Sequence, residues 1–591
     1  MSDMIPTIPA SRDRWSILKF PERLPASLAW LPYALLISVT SALYAVTLYY
    51  EFVWDDWVYI VQNYRIQGLD WMHIRAFWSD IYLGHYAPVH HSFFALVYHF
   101  AGMEPYGYHL GQVLIHAAVV CLVYLVVKKL ETPGVALVAS LLFAVHPANI
   151  ETVAWISESK STLAFLFFLI SFYFFIRLRE RQSWTDGVLA GLFLILSVLA
   201  KINTVVAPAI FLLYDYRQGA TIRTLKWRSL ALFFAISGMF TVIHLGAFHG
   251  STQSMEQQFY GGPGLHIMQM PLLLAFYLQQ IVFPVSLSAW QMFPVQETFN
   301  WLVTLGWLGM AAMSWVLSRG NRKIQFWVLW IFLFLLPVLQ IVPFPIWVAD
   351  RYLYIPAIGA FVLAGIAFFY IQERLPKIPS RALEAVIPAI VLLLGWRTHQ
   401  HIPIWKSDLT LWAATTPTCL TSAYCHMNLG TSLLKNGMAD RGMPELIRAV
   451  EIRANRHTLE QLGDGFTFAA QDYKQAIIAY KMAAELPNAT PEIHGKLARA
   501  YYLAGDLEAA RKAIERGARV SEYDPGLWII NGFVLWKQGN LDEARRSLNA
   551  ALGMTGRKSN PAAFFVAFMG NSAEVGALLA DLRNGVSEPR Q

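Results

Sequence analysis

Long apolar stretches, separated by short polar loops, dominate the first four hundred positions of the chain. The first spans residues 24–50. Others lie at about 106–127, 134–150, 161–176, 187–200, 203–214, 229–248, 301–318, 324–343, 352–372 and 382–398. A helix needs roughly 20 apolar residues to cross a bilayer, so the pattern predicts an all-α, polytopic helical bundle with about eleven crossings. The loops that carry Lys128/Lys129, Arg177/Arg179/Arg181, Arg217/Arg223/Lys226/Arg228, Arg319/Arg322/Lys323 and Arg374/Lys377/Arg381 are then expected on the cytoplasmic side. This assignment requires that segment 267–285, which leads into Phe283-Pro284 and Met292-Phe293-Pro294, lie at the membrane surface or re-enter without crossing. Residues 1–23, with Arg12, Arg14, Lys19 and Arg23, read as a cytoplasmic N-terminus and not as a cleavable signal. Segments 51–105, 146–160, 249–300 and 344–351 consequently share the extracytoplasmic face.

From about residue 403 the spanning runs stop and charges of both signs appear. A period of 34 emerges: Gly505 recurs as Gly539, Leu507 as Leu541 and Ala510 as Ala544. One period earlier Tyr473 and Ala476 match Leu507 and Ala510, and two periods earlier Gly430 and Gly437 match Ala498 and Gly505. Small residues at fixed spacing let antiparallel helix pairs pack closely and stack as a solenoid. The expected division is a multi-span domain over 1–402 and an extracytoplasmic repeat domain over 403–591, with the repeats covering about 425–556.

Composition supports the membrane reading. Of the 591 residues, 56% are hydrophobic and 14% charged, whereas soluble domains carry about a quarter charged. The net charge of +7 is accounted for by the cytoplasmic loops and does not point to nucleic acid. Three cysteines occur. Cys121 lies in an apolar run and reads as a small buried hydrophobe. Cys419 and Cys425 are able to pair if their segment faces an oxidising compartment.

Candidate chemistry sits just beyond the first helix. In Phe52-Val53-Trp54-Asp55-Asp56-Trp57 two adjacent carboxylates are bracketed by aromatics at the expected outer interface. One reading is a charged pair that ends the span. The other is a general base whose basicity is raised by partial desolvation. Lys201 lies between two short apolar segments, and a charge there needs a partner or an interface. His85, His90, His91 and His146 share the same side with Asp55 and Asp56. No recognisable ligand spacing supports a metal, and a divalent ion is left open. His146-Pro147 reads as a helix end.

These residues, taken in order, resemble a known family. Phe52-Val53-Trp54-Asp55-Asp56 is similar to the acidic pair of the C-type (polyprenyl-phosphate-dependent, multi-span) glycosyltransferases. More specifically, the chain resembles the transmembrane and tetratricopeptide-repeat O-mannosyltransferase-like family. The resemblance runs through Gly107-Tyr108-His109-Leu110, Leu114-Ile115-His116-Ala117, Leu142-Phe143-Ala144-Val145-His146-Pro147 with Glu151, Val153-Ala154-Trp155 and Lys160, and Ala349-Asp350-Arg351-Tyr352-Leu353-Tyr354-Ile355-Pro356. In the C-terminal part, the stretch from Ala498 through Gly505 to Ala510 is similar to the tetratricopeptide pattern. Two departures stand out: Tyr86-Ala87-Pro88 lacks an arginine common in the family, and Lys201 is followed by Ile202-Asn203 where an acidic residue is common.

The resemblance implies a polyprenyl-phosphate-linked sugar as donor and a hydroxyl acceptor arriving from the aqueous side. Asp55 is then the base and Asp56 its positioning partner. Arg351, Lys201 and Lys160 would meet the donor phosphate, while Tyr86, His85, His146, Glu151, Glu158, Asp350 and Tyr352 would line the substrate site. A protein acceptor would be recruited by the repeats. Transfer of an oligosaccharide, transfer to a lipid or glycan, and a non-catalytic membrane-anchored scaffold are the alternatives. The expected setting is a bacterial inner membrane with periplasmic repeats, or the endoplasmic reticulum membrane with lumenal repeats in a eukaryote.

Overall fold

The computed structural model of the protein describes residues 25–82, 84–252, 262–341, 346–374, 383–487, 489–521, 523–555 and 561–584. The basic N-terminal segment 1–23, Lys377 and Arg381, and the last residues of the chain lie outside them. The regular elements of the described residues are all helices, and the β-type pairing among them is the short bridge between Tyr82 and His85. The chain divides into two compact units, Met1–Leu411 and Trp412–Gln591.

Among the described residues of the first unit, seven helices are long and apolar enough to span a membrane: Leu31–Tyr49, Pro105–Leu130, Ile156–Arg181, Trp227–Gly246, Pro263–Val282, Trp301–Ser318 and Ala357–Arg374. An eighth is obtained if Pro133–Val145 and Pro147–Ala154, bent by 57°, count as one broken span. Several expected crossings are shorter than a full span. Ala207–Arg217 has 11 residues, Arg322–Leu335 has 14 and Val386–His401 has 16. The bend in the broken pair falls at His146-Pro147, because Pro147 cannot donate the helical hydrogen bond and disfavours helical geometry at the residue before it.

Several polar side chains inside the bundle are paired with one another or with backbone. Gln112 donates to the Thr152 carbonyl at 2.5 Å and accepts from Thr162 at 3.0 Å. His116 Nδ1 lies 2.7 Å from the Tyr354 hydroxyl. Such bonds satisfy groups that hydrocarbon cannot.

The basic loops converge on one end of this unit. Lys129 pairs with Glu180 at 2.9 Å, Arg179 with Asp215 at 2.8 Å and Arg217 with Glu131 at 2.8 Å. Arg322 donates to the Tyr216 carbonyl at 3.2 Å. Lys160 and Arg179 stand on one helix, Ser159–Arg181. At 1.5 Å per residue, that places the basic end about 30 Å from Lys160, roughly one hydrocarbon thickness.

Helix Pro263–Val282 engages the Lys160 end at both its termini. His266 stacks on Trp347 at 4.8 Å, while the Ile281 carbonyl lies 2.9 Å from His146 Nε2.

The second unit is built of helix pairs: Ala423–Lys435 with Ala439–Ile452, Arg456–Phe468 with Tyr473–Ala484, Pro491–Leu503 with Leu507–Val520, and Pro525–Lys537 with Leu541–Thr555. A further pair, Pro561–Met569 and Ser572–Asn584, follows. The period seen in the sequence has a direct structural cause. Gly505 and Gly539 both adopt φ of 85° at the turn between paired helices, a conformation that side chains with a Cβ resist. Ala498, Ala510 and Ala544 are fully buried where the helices touch. Asp506, the residue after the first of these glycines, caps the next helix by accepting from the Ala509 N–H at 2.9 Å. Cys419 and Cys425 form a disulfide at the start of this unit, and Cys121 is free.

Candidate functional site

The turn Phe52–Trp57 carries the acidic pair, and its backbone is unusual. Trp54 has φ of 54°, a left-handed conformation rare for a bulky residue. Its indole stacks on Trp155 at 4.5 Å with the planes 7° apart, and Trp405 packs beside both. The Trp54 N–H donates to Asp408 Oδ1 at 2.8 Å, and the Trp57 indole N–H donates to Asp408 Oδ2 at 2.9 Å.

Asp56 is fully buried. Its Oδ2 accepts from the Val53 N–H at 3.1 Å, and its Oδ1 accepts from the Ser157 N–H at 2.8 Å and the Ser157 hydroxyl at 2.5 Å. Both oxygens are engaged in tying the turn to segment 155–159. Burial nevertheless pushes its pKa up to about 7, against the lowering effect of those bonds. Asp55 is half-buried, and no side-chain hydrogen bond to it occurs among the described residues. Burial raises its pKa above the ordinary carboxylate value, the positive charges of Lys160 and Arg351 oppose that rise, and Glu158 adds to it. The expected pair thus splits into an open carboxylate and a structural one.

Next to Asp55 lies a dense charge cluster. Glu158, 1% exposed, is its hub. Lys201 Nζ lies 2.9 Å from Glu158 Oε2, while Lys160 Nζ at 3.5 Å and Arg351 Nε at 3.6 Å approach Oε1. Ser161 donates to Glu158 and accepts from Lys201 at 2.7 Å. Arg351 also pairs with Glu151 through its guanidinium, and its backbone N–H donates to Glu151 Oε2 at 2.8 Å. Three cations therefore meet two buried carboxylates, which leaves a positive excess beside Asp55. Aromatic faces complete the enclosure: Lys160 lies over Tyr59 at 5.0 Å, and Arg351 lies over Tyr352 at 5.1 Å and Trp155 at 5.6 Å.

The structure brings Asp55, Lys160, Lys201, Arg351, Glu151, Glu158 and Tyr352 into one cluster. Asp350 borders it, accepting from the Ser288 N–H at 3.2 Å and from Gln291 at 2.6 Å. His85 stacks on His244 at 5.9 Å, and its pKa is held low, at about 3, first by burial and then by the charges of Lys160, His244 and Lys201. Tyr86 donates to the Trp78 carbonyl at 2.9 Å. His146 does not open onto the cluster. One ring nitrogen lies 2.9 Å from the Ile281 carbonyl and the other accepts from the Ala148 N–H at 3.2 Å, so both are engaged with backbone at the helix end. His90 pairs with Ser159 at 3.0 Å and His91 with the Ala87 carbonyl at 3.1 Å. Among the described residues no group of three or more His, Cys, Asp or Glu side chains converges as a metal site.

Sequence reasoning missed Ser157, Ser161, Asp408 and His244. Ser157 and Ser161 flank Glu158 in a stretch already singled out. Asp408 lies more than three hundred positions from the turn it holds, and no local pattern marks it.

Comparison with known proteins agrees with this architecture. Residues 85–244 match the family model described as dolichyl-phosphate-mannose-protein mannosyltransferase. Residues 491–516 and 525–550 match a tetratricopeptide repeat. A protein O-mannosyl-transferase of Caenorhabditis elegans is 25% identical over 68% of this chain and 60% of its own length. Protein O-mannosyl-transferase TMTC4 of Homo sapiens is 23% identical over 66% of this chain and 62% of its own. TMTC2 of Mus musculus is 33% identical over 33% and 26% respectively. The chain spans about three fifths or less of the length of these relatives. Among solved structures, the tetratricopeptide protein YrrB is 15% identical and covers 29% of this chain and 91% of its own, at a TM-score of 0.22, too low to carry an argument. Residues 85–244 of the membrane part are thus similar to the dolichyl-phosphate-mannose-protein mannosyltransferase model, the C-terminal helix pairs are similar to tetratricopeptide repeats, and the relatives of the chain bear the name protein O-mannosyl-transferase.

Proposed function

We propose that this chain is a membrane glycosyltransferase that moves a sugar from a polyprenyl-phosphate carrier to a hydroxyl group of a protein acceptor. The observation that carries the reading is Asp55. Glu151, Glu158, Asp56 and Asp350 all accept hydrogen bonds from nearby protein groups, whereas the Asp55 carboxylate has none among the described residues and lies in the field of Lys160 and Arg351, two of the three cations gathered on Glu158.

In the proposed reaction the acceptor oxygen attacks the anomeric carbon. The bond from that carbon to the phosphate oxygen breaks, and the acceptor proton passes to Asp55. Polyprenyl phosphate departs with an added negative charge, which Arg351, Lys160 and Lys201 stabilise. Arg351 suits this role because a guanidinium fork matches phosphate oxygens. Glu151 and Glu158 hold the cations in place, and Asp56 holds the turn.

Two observations support an extracytoplasmic site. The basic loops lie about 30 Å from Lys160 along a single helix, the spacing expected if they face the cytoplasm and the cluster faces outward. The Cys419–Cys425 disulfide fits an oxidising compartment for the repeats, a periplasm or the lumen of the endoplasmic reticulum. The repeats would present the protein acceptor.

The reading is tested with purified protein in lipid nanodiscs, supplied with polyprenyl-phosphate-linked radiolabelled mannose and a membrane-protein fraction. Label that enters protein and is released by β-elimination is the expected result. Label found only on lipid or glycan would replace the protein acceptor, and no transfer from any phosphate-linked sugar would overturn the proposal.

A further inference from the structure

The turn that aims Asp55 is held from a distant part of the chain. Segment 402–408, which follows the last apolar helix of the first unit, meets it at several points. The Lys406 carbonyl accepts from the Glu51 N–H at 3.0 Å. Trp405 packs on the Trp54–Trp155 stack, 6.4 Å and 5.8 Å from the two rings. Asp408 accepts the Trp54 N–H at 2.8 Å and the Trp57 indole N–H at 2.9 Å, one on each oxygen. These two donors stand on either side of Asp55. Trp54 is also the residue with φ of 54°, a backbone state that persists only where its surroundings enforce it. The charged acceptor strengthens both bonds, and its two oxygens match the two donors.

We infer that Asp408 is a positioning residue for sugar transfer, acting by fixing the left-handed turn at Trp54 and so the aim of the Asp55 carboxylate. The inference rests on the reading of Asp55 as the base. Asp408 acts through Trp54 and Trp57, whereas the cations that would meet the donor phosphate take their ion pairs from Glu158 and Glu151 and, among the described residues, touch the turn only through the face of Trp155. Loosening the turn should therefore slow the proton-transfer step and leave donor binding intact. A displacement of about 1 Å at a reacting group costs on the order of a hundredfold in rate.

The test uses the full-length protein in nanodiscs, with polyprenyl-phosphate mannose as donor, and compares Asp408→Ala and Trp57→Phe with wild type at equal amounts of monodisperse protein. Asp408→Ala removes both acceptors and should lower kcat by roughly ten- to a hundredfold, with the donor KM within about twofold. Trp57→Phe keeps an aromatic ring and removes one donor, and should give a smaller fall with the same pattern. It carries the test if Asp408→Ala is not recovered folded. Wild-type kcat in the recovered variants overturns the inference, as does a loss that falls equally on kcat and donor KM. Asp55→Asn run alongside separates the two claims: if it is active, the base assignment fails and this inference with it; if it is inactive while Asp408→Ala is fully active, only the positioning role fails.

Discussion

The charge cluster makes a quantitative prediction through Glu158. Replacing Glu158 with Gln keeps the side-chain shape and removes one negative charge from a site where three cations lie 2.9, 3.5 and 3.6 Å from its oxygens. A unit-charge contact near 4 Å is worth about 4 kcal/mol of gross attraction at an effective dielectric of 20. Desolvation of the buried groups cancels much of that attraction. Breaking a buried pair by removing one partner nevertheless costs about 3–5 kcal/mol, because the remaining charges are left uncompensated. The assay is thermal denaturation of detergent-solubilised protein followed by gel filtration. The expected result is a Tm several degrees lower for Glu158→Gln. Added polyprenyl phosphate should recover more of the loss in the variant than it adds to wild type, since its phosphate then supplies the missing counter-charge. Lys201→Met in the same background should make Glu158→Gln less costly, with a coupling of about 1–3 kcal/mol. An unchanged Tm for Glu158→Gln would refute the claim that this carboxylate gathers the cations.

Three further predictions follow from the same geometry. Asp55 must be ionised to accept a proton and its pKa is raised, so kcat/KM should rise with pH through an inflection above the ordinary carboxylate value of about 3.9; a rate independent of pH down to about 4 contradicts this. Asp56→Ala leaves the donors of Val53 and Ser157 unpaired in a buried place at about 1–3 kcal/mol each, so it should reduce the yield of folded protein while Asp55→Asn does not, as judged by gel filtration. Maleimide labelling of denatured protein should count one thiol, from Cys121, before reduction and three after it; three thiols before reduction would exclude the disulfide.

Much of the fold was legible in the sequence because two periodicities carry it. Uncharged runs of spanning length mark the membrane helices, and the recurrence of Gly505 as Gly539 and Ala510 as Ala544 marks the repeats. These signals are local, since burial in lipid or between paired helices dictates residue type position by position. Span length was less legible. Proline chemistry marks the break at His146-Pro147, but composition does not reveal that Ala207–Arg217, Arg322–Leu335 and Val386–His401 stay shorter than a full span.

Within the candidate site, the acidic pair and Lys201 stood out as charges beside apolar runs, and Lys160 and Arg351 came from the family resemblance. Their division of labour did not. Asp55 and Asp56 are adjacent and chemically identical, and only the left-handed turn at Trp54 separates an open carboxylate from a saturated one. Glu151 and Glu158 read as possible substrate contacts, yet each is buried against Arg351 and, for Glu158, against two lysines as well. Asp408 was invisible because its contacts are made across the whole length of the membrane unit.

The most direct measurement is intact-mass analysis of acceptor proteins from cells that carry the wild-type chain or Asp55→Asn at equal levels of folded protein. Wild type should yield acceptors heavier by whole hexose units, and the variant should yield none. Equal modification in the two strains would contradict the account at its centre.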